Sequence, residues 1–265
     1  MKKYIVIGKP LSHSLSPKLH NYWFKENNLN FLYQKEETNE ENVESVIKNL
    51  RNDLIEGINV TVPYKKTVIP FMDQLTPLAK KAGSVNTILK KNNTIIGDNT
   101  DIGGFERALK HIEYQVKDKK AFILGAGGVA PSIIVALDKM GIRNIAISNR
   151  TISKAESLKK LYPKLEIVEW GKSTSFDIIV NATSLGLKND DFIKVRIDDT
   201  KLQKLYYDVI YNPEKTQFLK KGKDNGNKVE NGKMMFIYQA QLSFKIWHGF
   251  EPKIDENVIN FFKND

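Results

Sequence analysis

The chain has 265 residues, 41% of them apolar, no cysteine, and a formal charge of +10. That length allows one large domain or two ordinary ones, the apolar share suffices for real cores, and the lack of cysteine excludes disulfides and thiolate metal sites. The charge does not mark a nucleic-acid binder, because lysine supplies 36 of the 41 basic residues and is spread along the whole chain, without the arginine- and aromatic-rich clustering such a binder shows.

A lysine-rich surface with a modest bias toward anionic ligands is therefore expected. His13, His20, His111 and His248 show no metal-ligand spacing, so no catalytic metal is expected. The start, MKKYIVIGKPLS, has only a short apolar run and reads as a first strand, not a signal peptide. No apolar stretch approaches the roughly 18 residues of a membrane span. A soluble, cytoplasmic protein with no membrane and no nucleic-acid partner follows as the expectation.

Strand and helix patterns alternate along the chain, which points to the α/β class. YIVIG (4–8) leads into a helix from about Lys18 to Asn27. FLYQKEE (31–37) reads as a second strand and NEENVESVIKNLRNDL (39–54) as an amphipathic helix. GINVTVP (57–63) is a third, buried strand, with Val60 and Val62 alternating with Asn59 and Thr61 until Pro63, which cannot join a ladder. It delivers Asn59, Thr61 and Lys65 to a strand exit, where ligands sit in open α/β sheets. SVNTILKKNNTIIGDNT (84–100) reads as two strands around an Asn-Asn turn, with Asn86 in an otherwise apolar strand and Asn99 and Asp101 at another exit.

From Ile102 a helix opens on Gly103 and Gly104, which suggest either a domain boundary near 102 or a helix start. A second series follows: AFILGAGG (121–128), the helix PSIIVALDKMG, and strands NIAISNR (144–150), EIVEW (166–170), FDIIVNAT (176–183) and LYYDVIY (205–211). MMFIYQAQLSFKIWHGF and ENVINFF read as C-terminal helices. There is no internal repeat and no low-complexity linker.

GAGGVA (125–130) fits G-x-G-x-x-G/A between a strand and a helix. Gly125 serves the tight turn, Gly127 the close approach of a phosphate, and Ala130 the packing of helix on strand, so a dinucleotide is the expected ligand. Pro131 is tolerated in the first helical turn but removes one possible phosphate donor. At the end of the next strand an NAD site expects a carboxylate. Here Asn149, Arg150 and Thr151 stand in its place, with Lys154 a turn later, and a guanidinium suits the extra phosphate of NADP. Ser14 and Ser16 precede Pro17, where Ser16 alone would be read as a helix N-cap.

Taken together, SHSLSPKLHN, NVTVPYK, GSVNT, GDNTD, GAGG, NRT, NATSLGL, YDVIYNPEKTQFL and NG followed by QA and WHG resemble, in order and over nearly the whole chain, the shikimate dehydrogenase family, whose members reduce 3-dehydroshikimate with NADPH. The resemblance implies two α/β domains with a cleft between them: a substrate domain with a mostly parallel sheet (1–101 and 233–265) and a Rossmann NADP domain (102–232). It implies that Ser14, Ser16, Thr61, Asn86, Asp101 and Gln239 hold the substrate's hydroxyls and carboxylate, with Tyr211 nearby. It places Gly125, Ala126, Gly127, Gly128, Val129, Asn149, Arg150, Thr151 and Lys154 at the cofactor, with Ala182, Thr183 and Ser184 near it and Val209 and Gly232 beside the nicotinamide. Hydroxyl and amide side chains suit a small polyol acid, since each donates or accepts.

For the proton, Lys65 is the expected acid/base, its ammonium donating to the new hydroxyl and its amine taking the proton back, with Asp101 orienting it. Three departures from the family's pattern stand out: Pro131 after the glycine turn, Ile102 and Gly103 after Asp101, and Met234 where a second glycine is usual. The expected partners are the small-molecule substrate and, at most, a second copy in a homodimer. Two other readings remain: a quinate/shikimate dehydrogenase using NAD, and a non-catalytic regulator that binds ligand.

Overall fold

The computed structural model describes residues 2–188, 193–195, 197 and 203–261, and the chain divides into two compact units. One comprises the chain up to Gly104 together with Ile237–Phe261, the other Phe105–Phe236. The first contains β1 (Lys2–Gly8), α1 (Ser16–Glu26), β2 (Phe31–Glu37), α2 (Val43–Arg51), β3 (Gly57–Val60), β4 (Gln74–Leu75), α3 (Pro77–Ala82), β5 (Thr87–Lys91) and β6 (Thr94–Asp98). The division falls within α4 (Thr100–His111). The second holds β7 (Lys120–Leu124), α5 (Ala130–Lys139), β8 (Asn144–Ser148), α6 (Ile152–Leu161), β9 (Glu166–Ile167), β10 (Ile178–Asn181), β11 (Leu205–Asp208), α7 (Gln217–Asp224) and β12 (Lys228–Glu230). It falls again within α8 (Lys233–His248), and α9 (Glu256–Asn260) belongs to the first unit. Among the described residues no helix is long and apolar enough to cross a membrane. Phe262, the end of the predicted last helix, lies outside the described residues.

The first sheet runs β2-β1-β3-β5-β6-β4. β1 pairs parallel with β2 and β3 and β4 with β6, while β5 is antiparallel to β3 and β6. The Asn-Asn turn between β5 and β6 has φ of 49° at Asn92 and 61° at Asn93, the left-handed pair a two-residue hairpin of this kind requires. Both faces of the sheet are covered, so β1 is apolar on both sides. Ile5 and Ile7 meet Val43, Val46, Ile47 and Leu50 of α2. On the other face, Tyr4 packs on Phe24 of α1 and Trp247 of α8.

The second sheet, β12-β11-β10-β7-β8-β9, is parallel throughout. Successive strands run outward from β7 in one direction and from β10 in the other. The order therefore reverses between β7 and β10, and their carboxyl ends flank the crevice where such sheets take ligands.

Several expectations are corrected. The third strand ends at Val60, and Val62 is 50% exposed instead of buried. Thr61 N–H still reaches Ile7 O (2.9 Å), but local turns take over, with Tyr64 N–H on Thr61 O and Val68 N–H on Tyr64 O. EIVEW yields only a two-residue strand. Gly103 and Gly104 lie inside α4, not at its start: Asn99 Oδ1 accepts Ile102 N–H (3.3 Å), and a Cβ at Gly103 would sit 2.5 Å from Leu242. The short helices α3 and α7 went unread, although each starts on a threonine whose hydroxyl accepts the N–H three residues on.

His20 is fully buried, stacked on Tyr33 at 4.4 Å, and neither ring nitrogen has a partner among the described residues. Burial, with His248 adding to it, lowers its pKa from 6.5 to about 3. Its folded pKa lies below the unfolded one, so the stability it contributes is complete above about pH 6.5 and is lost as the pH falls toward 3. The urea midpoint should therefore drop between pH 7 and pH 4.5, and His20→Phe should flatten that drop. Parallel pH profiles for wild type and variant would show that His20 is not the sensing group.

Candidate active site

Lys65 sits five residues past the end of β3, in the turns that follow Thr61, and its backbone carbonyl accepts Val85 N–H (2.8 Å). Asp101 lies in the first turn of α4, where a carboxylate complements the helix dipole. Thirty-six residues apart in sequence, Lys65 Nζ and Asp101 Oδ2 meet at 2.6 Å, with side chains only 10% and 8% exposed. Asp101 Oδ1 accepts from Asn86 Nδ2 at 2.9 Å. The orientation of Asn86 is imposed, since its Oδ1 faces the backbone N–H of Thr100 at 2.7 Å and its amide must turn toward Asp101. The same amide lies 3.4 Å from Gln239 Oε1 on α8.

Behind this pair lies a polar core that the sequence reading did not assign to the site. Asn59 Nδ2 donates to Asn86 O, Thr87 Oγ1 and Ser243 Oγ within 3.1 Å. Ser243 Oγ, fully buried, is also 2.8 Å from Thr87 Oγ1 and 3.1 Å from Thr100 Oγ1. Tyr33 OH donates to Asn59 Oδ1 at 2.7 Å and is also hydrogen-bonded with Ser16. The network thus runs from Ser16 through Tyr33, Asn59, Ser243, Thr100 and Asn86 to Asp101 and Lys65. Asn59 was visible as a polar residue in a buried strand; Ser243 could have been found as a serine one helical turn from Gln239.

Ser16 is not the N-cap its place before Pro17 suggests. The cap position is Leu15, with no side-chain cap bond, and Ser16 is the first helical residue. Its N–H and its hydroxyl both approach Ser14 Oγ at 3.4 Å, which leaves the two hydroxyls side by side at the start of α1. Thr61 turns its methyl group toward Gly8, where a Cβ would lie 2.4 Å away. Tyr211 belongs to the second unit, its ring 4.7 Å from Phe236.

In the second unit the glycine turn follows β7 at the strand-order reversal. Gly125 has φ +104°, and a Cβ there would lie 2.7 Å from Thr183 Cγ2 and 2.9 Å from Ala182 O. Gly127 is exposed, and the nearest atom a Cβ there would meet is Ala182 O at 3.8 Å, so its outer face is open. Gly128 and Val129 complete the approach to α5, which starts at Ala130 with Pro131 in its first turn and no side-chain cap. Asn149 Oδ1 accepts Ala126 N–H (2.9 Å) and its amide donates to Thr151 O (2.7 Å), so this residue holds the turn in shape. Arg150 and Lys154 are exposed beside it. A bare glycine cradle at the start of a ten-residue helix, next to two exposed cations, fits a dinucleotide bearing an additional phosphate. Gly232 is a steric necessity: a Cβ there would fall 2.0 Å from Val209 O. Met234 is buried.

Residues 6–88 match the family described as shikimate dehydrogenase substrate binding domain, and residues 106–188 match shikimate / quinate 5-dehydrogenase. An NADP(+) shikimate dehydrogenase of Pelagibacter ubique is 52% identical over 259 residues, covering 98% of each chain. The crystal structure of shikimate dehydrogenase from Aquifex aeolicus superposes with a TM-score of 0.89 at 36% identity, covering 100% of this chain and 98% of that one. The Thermus thermophilus enzyme, solved with NADP(H) and shikimate, gives 0.89 at 31% identity, covering 99% and 98%.

Ser243→Ala removes a hydroxyl that Asn59, Thr87 and Thr100 all face. Orphaning such buried groups costs about 1–3 kcal/mol. The variant should unfold at correspondingly lower urea, and an unchanged midpoint would mean the neighbours find other partners.

Proposed function

The chain belongs to the shikimate dehydrogenase family, and on that premise we propose that Lys65 and Asp101 manage the proton in its reaction. The reaction is the reversible, NADPH-dependent reduction of 3-dehydroshikimate to shikimate, an oxidoreduction at a CH–OH group that serves chorismate and aromatic amino-acid biosynthesis. The proposal takes the enzyme as cytoplasmic and as a monomer or homodimer.

One observation carries the assignment of roles: a lysine and an aspartate, buried together at 2.6 Å, with a hydrogen-bonded amide on the carboxylate's other oxygen. Adding hydride to a ring ketone leaves charge on oxygen, which must be met by a proton. When bound, NADPH supplies the hydride. Lys65 ammonium donates its proton to the forming hydroxyl, and in the reverse direction its amine removes it. Asp101 holds Nζ in place through a single short contact and balances its charge. Asn86, with its Oδ1 fixed by Thr100 N–H, aims a donor at Asp101 and shares it with Gln239.

The substrate's remaining polar groups are assigned to Ser14, Ser16, Thr61 and Gln239, with Tyr211 as a further candidate. Each is a hydroxyl or an amide, so each can serve a hydroxyl as donor or acceptor. Analogues lacking a hydroxyl would leave such groups unpaired, which is a strong basis for selectivity. The dinucleotide is assigned to the cradle Gly125–Val129, with Arg150, Thr151 and Lys154 for the ribose phosphate. Ala182–Ser184, Val209 and Gly232 are assigned to the nicotinamide side.

Lys65→Ala should lower kcat by roughly 10²–10⁴-fold with a smaller change in KM. Turnover close to wild type would remove Lys65 from the chemistry. Arg150→Ala should raise the KM for NADPH by roughly ten- to hundredfold, the loss of one charge-assisted phosphate contact, and leave that for NADH nearly unchanged. Equal losses for both would show that Arg150 does not read the phosphate. Assays with shikimate and quinate, each with NADP and NAD, test the reaction itself: a preference for quinate with NAD, or binding of NADPH without turnover, would overturn it.

A further inference from the structure

We propose that Asp208 is a positioning residue for the redox end of the cofactor, its buried carboxylate holding the segments 182–185 and 209–210 in one arrangement. The inference rests on the reading that these segments face the nicotinamide.

Asp208 is the last residue of β11 and is fully buried. Its partners are three uncharged donors: Asn181 Nδ2 and Ile210 N–H on Oδ1, both at 3.0 Å, and Thr216 Oγ1 on Oδ2 at 2.7 Å. Burial pushes its carboxyl up to about 6 against the pull of those donors. A group so costly to bury, taking no part in the proton chemistry, calls for another role.

Its hydrogen bonds lead to the loops after two adjacent strands. Asn181 ends β10, and its Oδ1 accepts from Thr183 N–H (3.0 Å) and Thr183 Oγ1 (2.7 Å). Thr183 Oγ1 in turn accepts Leu185 N–H (3.0 Å), and Asn181 Nδ2 reaches Leu185 O (3.1 Å). The loop 182–185 therefore takes its shape from Asn181, whose amide Asp208 fixes. The glycine turn leans on this loop, since Gly125 has no room for a Cβ against Thr183 and Ala182. On the other side Asp208 holds Ile210 N–H, while Ile210 O accepts Gly232 N–H (3.0 Å) and Gly232 lies against Val209 O. One carboxylate thus organises three stretches of backbone on the nicotinamide side. Arg150 and Lys154, assigned to the phosphate of the adenosine half, make none of these bonds.

That division predicts a selective defect. Asp208→Ala should weaken NADPH at least tenfold in a fluorescence titration. It should leave adenosine 2′,5′-bisphosphate, which lacks the nicotinamide, within twofold of wild type, and the KM for shikimate within threefold. Asp208→Asn should recover NADPH affinity to within threefold, because its Oδ1 still serves Asn181 and Ile210 while its amide donates to the Thr216 hydroxyl. NADPH binding by Asp208→Ala within threefold of wild type would overturn the proposal, and so would equal losses for NADPH and the bisphosphate. Should Asp208→Ala not fold, Thr216→Val with Thr216→Ser as control decides. A loss of NADPH affinity of threefold or more in Val alone supports the role, and wild-type affinity in Val overturns it. Hydrogen exchange of the wild type separates the inference from its premise. Absence of NADPH-dependent protection at 182–185 and 209–210 would overturn the cofactor assignment itself. Protection there, combined with normal NADPH affinity in Asp208→Ala, would overturn only the positioning role.

Discussion

The first unit is organised around a charge pair placed where water is scarce. Lys65 and Asp101 are almost wholly covered, and such a pair is tolerable only when the remaining lone pairs and protons also find partners. Asp101 Oδ1 is met by Asn86, Asn86 Oδ1 by Thr100 N–H, and Thr100 by Ser243 of α8. Each bond commits a different element: the turns after β3, the residue before β5, the start of α4 and the middle of α8. Helix α8 is therefore bound to the chain's first hundred residues by polar bonds as well as by the aromatic layer of Trp23, Tyr33, Phe244 and Trp247. A site built this way is rigid before any ligand arrives, because moving one member would orphan several buried groups.

The second unit solves its own problem with other parts. Its sheet reverses order between β7 and β10, and the loops leaving those strands come together there. Close approach of backbone to backbone is secured by two glycines, Gly125 against Thr183 and Gly232 against Val209, where a single Cβ would collide. Loop shape is held by side chains, half-buried Asn149 for the glycine turn and buried Asn181 with Asp208 for the neighbouring segments. The cations proposed for the phosphate, Arg150 and Lys154, are by contrast exposed.

Much of this was legible from local pattern. Apolar runs bounded by glycine, proline and asparagine mark the strands, and the helix periods between them identify the α/β class. The Asn92–Asn93 turn follows from the left-handed conformation those two residues tolerate, and GAGGVA is readable because its strand, turn and helix are contiguous. What went wrong was also local. Val62 continues an alternation that the backbone abandons one residue earlier, and of the two readings of Gly103 and Gly104, a boundary near 102 or a helix start, the helix start fails, since both lie inside α4 and Gly103 lets Leu242 pack close. Ser16 looked like a cap because a proline follows it, yet its hydroxyl is turned toward Ser14 and Tyr33.

By itself, then, the sequence determined most of the secondary elements, the dinucleotide turn and, through the ordered motifs of its family, the residues proposed for the site. The pairing of Lys65 with Asp101 was an expectation drawn from the family; the other contacts only the tertiary structure decided. The turn of the Asn86 amide and the recruitment of Tyr33, Asn59, Thr87, Thr100 and Ser243 depend on contacts between segments from about a dozen to more than a hundred residues apart. A periodic pattern reports which face of an element is buried. It carries no information about which distant donor will meet a given acceptor, because that is settled by the mutual packing of the elements and by the cost of leaving enclosed polar groups unsatisfied.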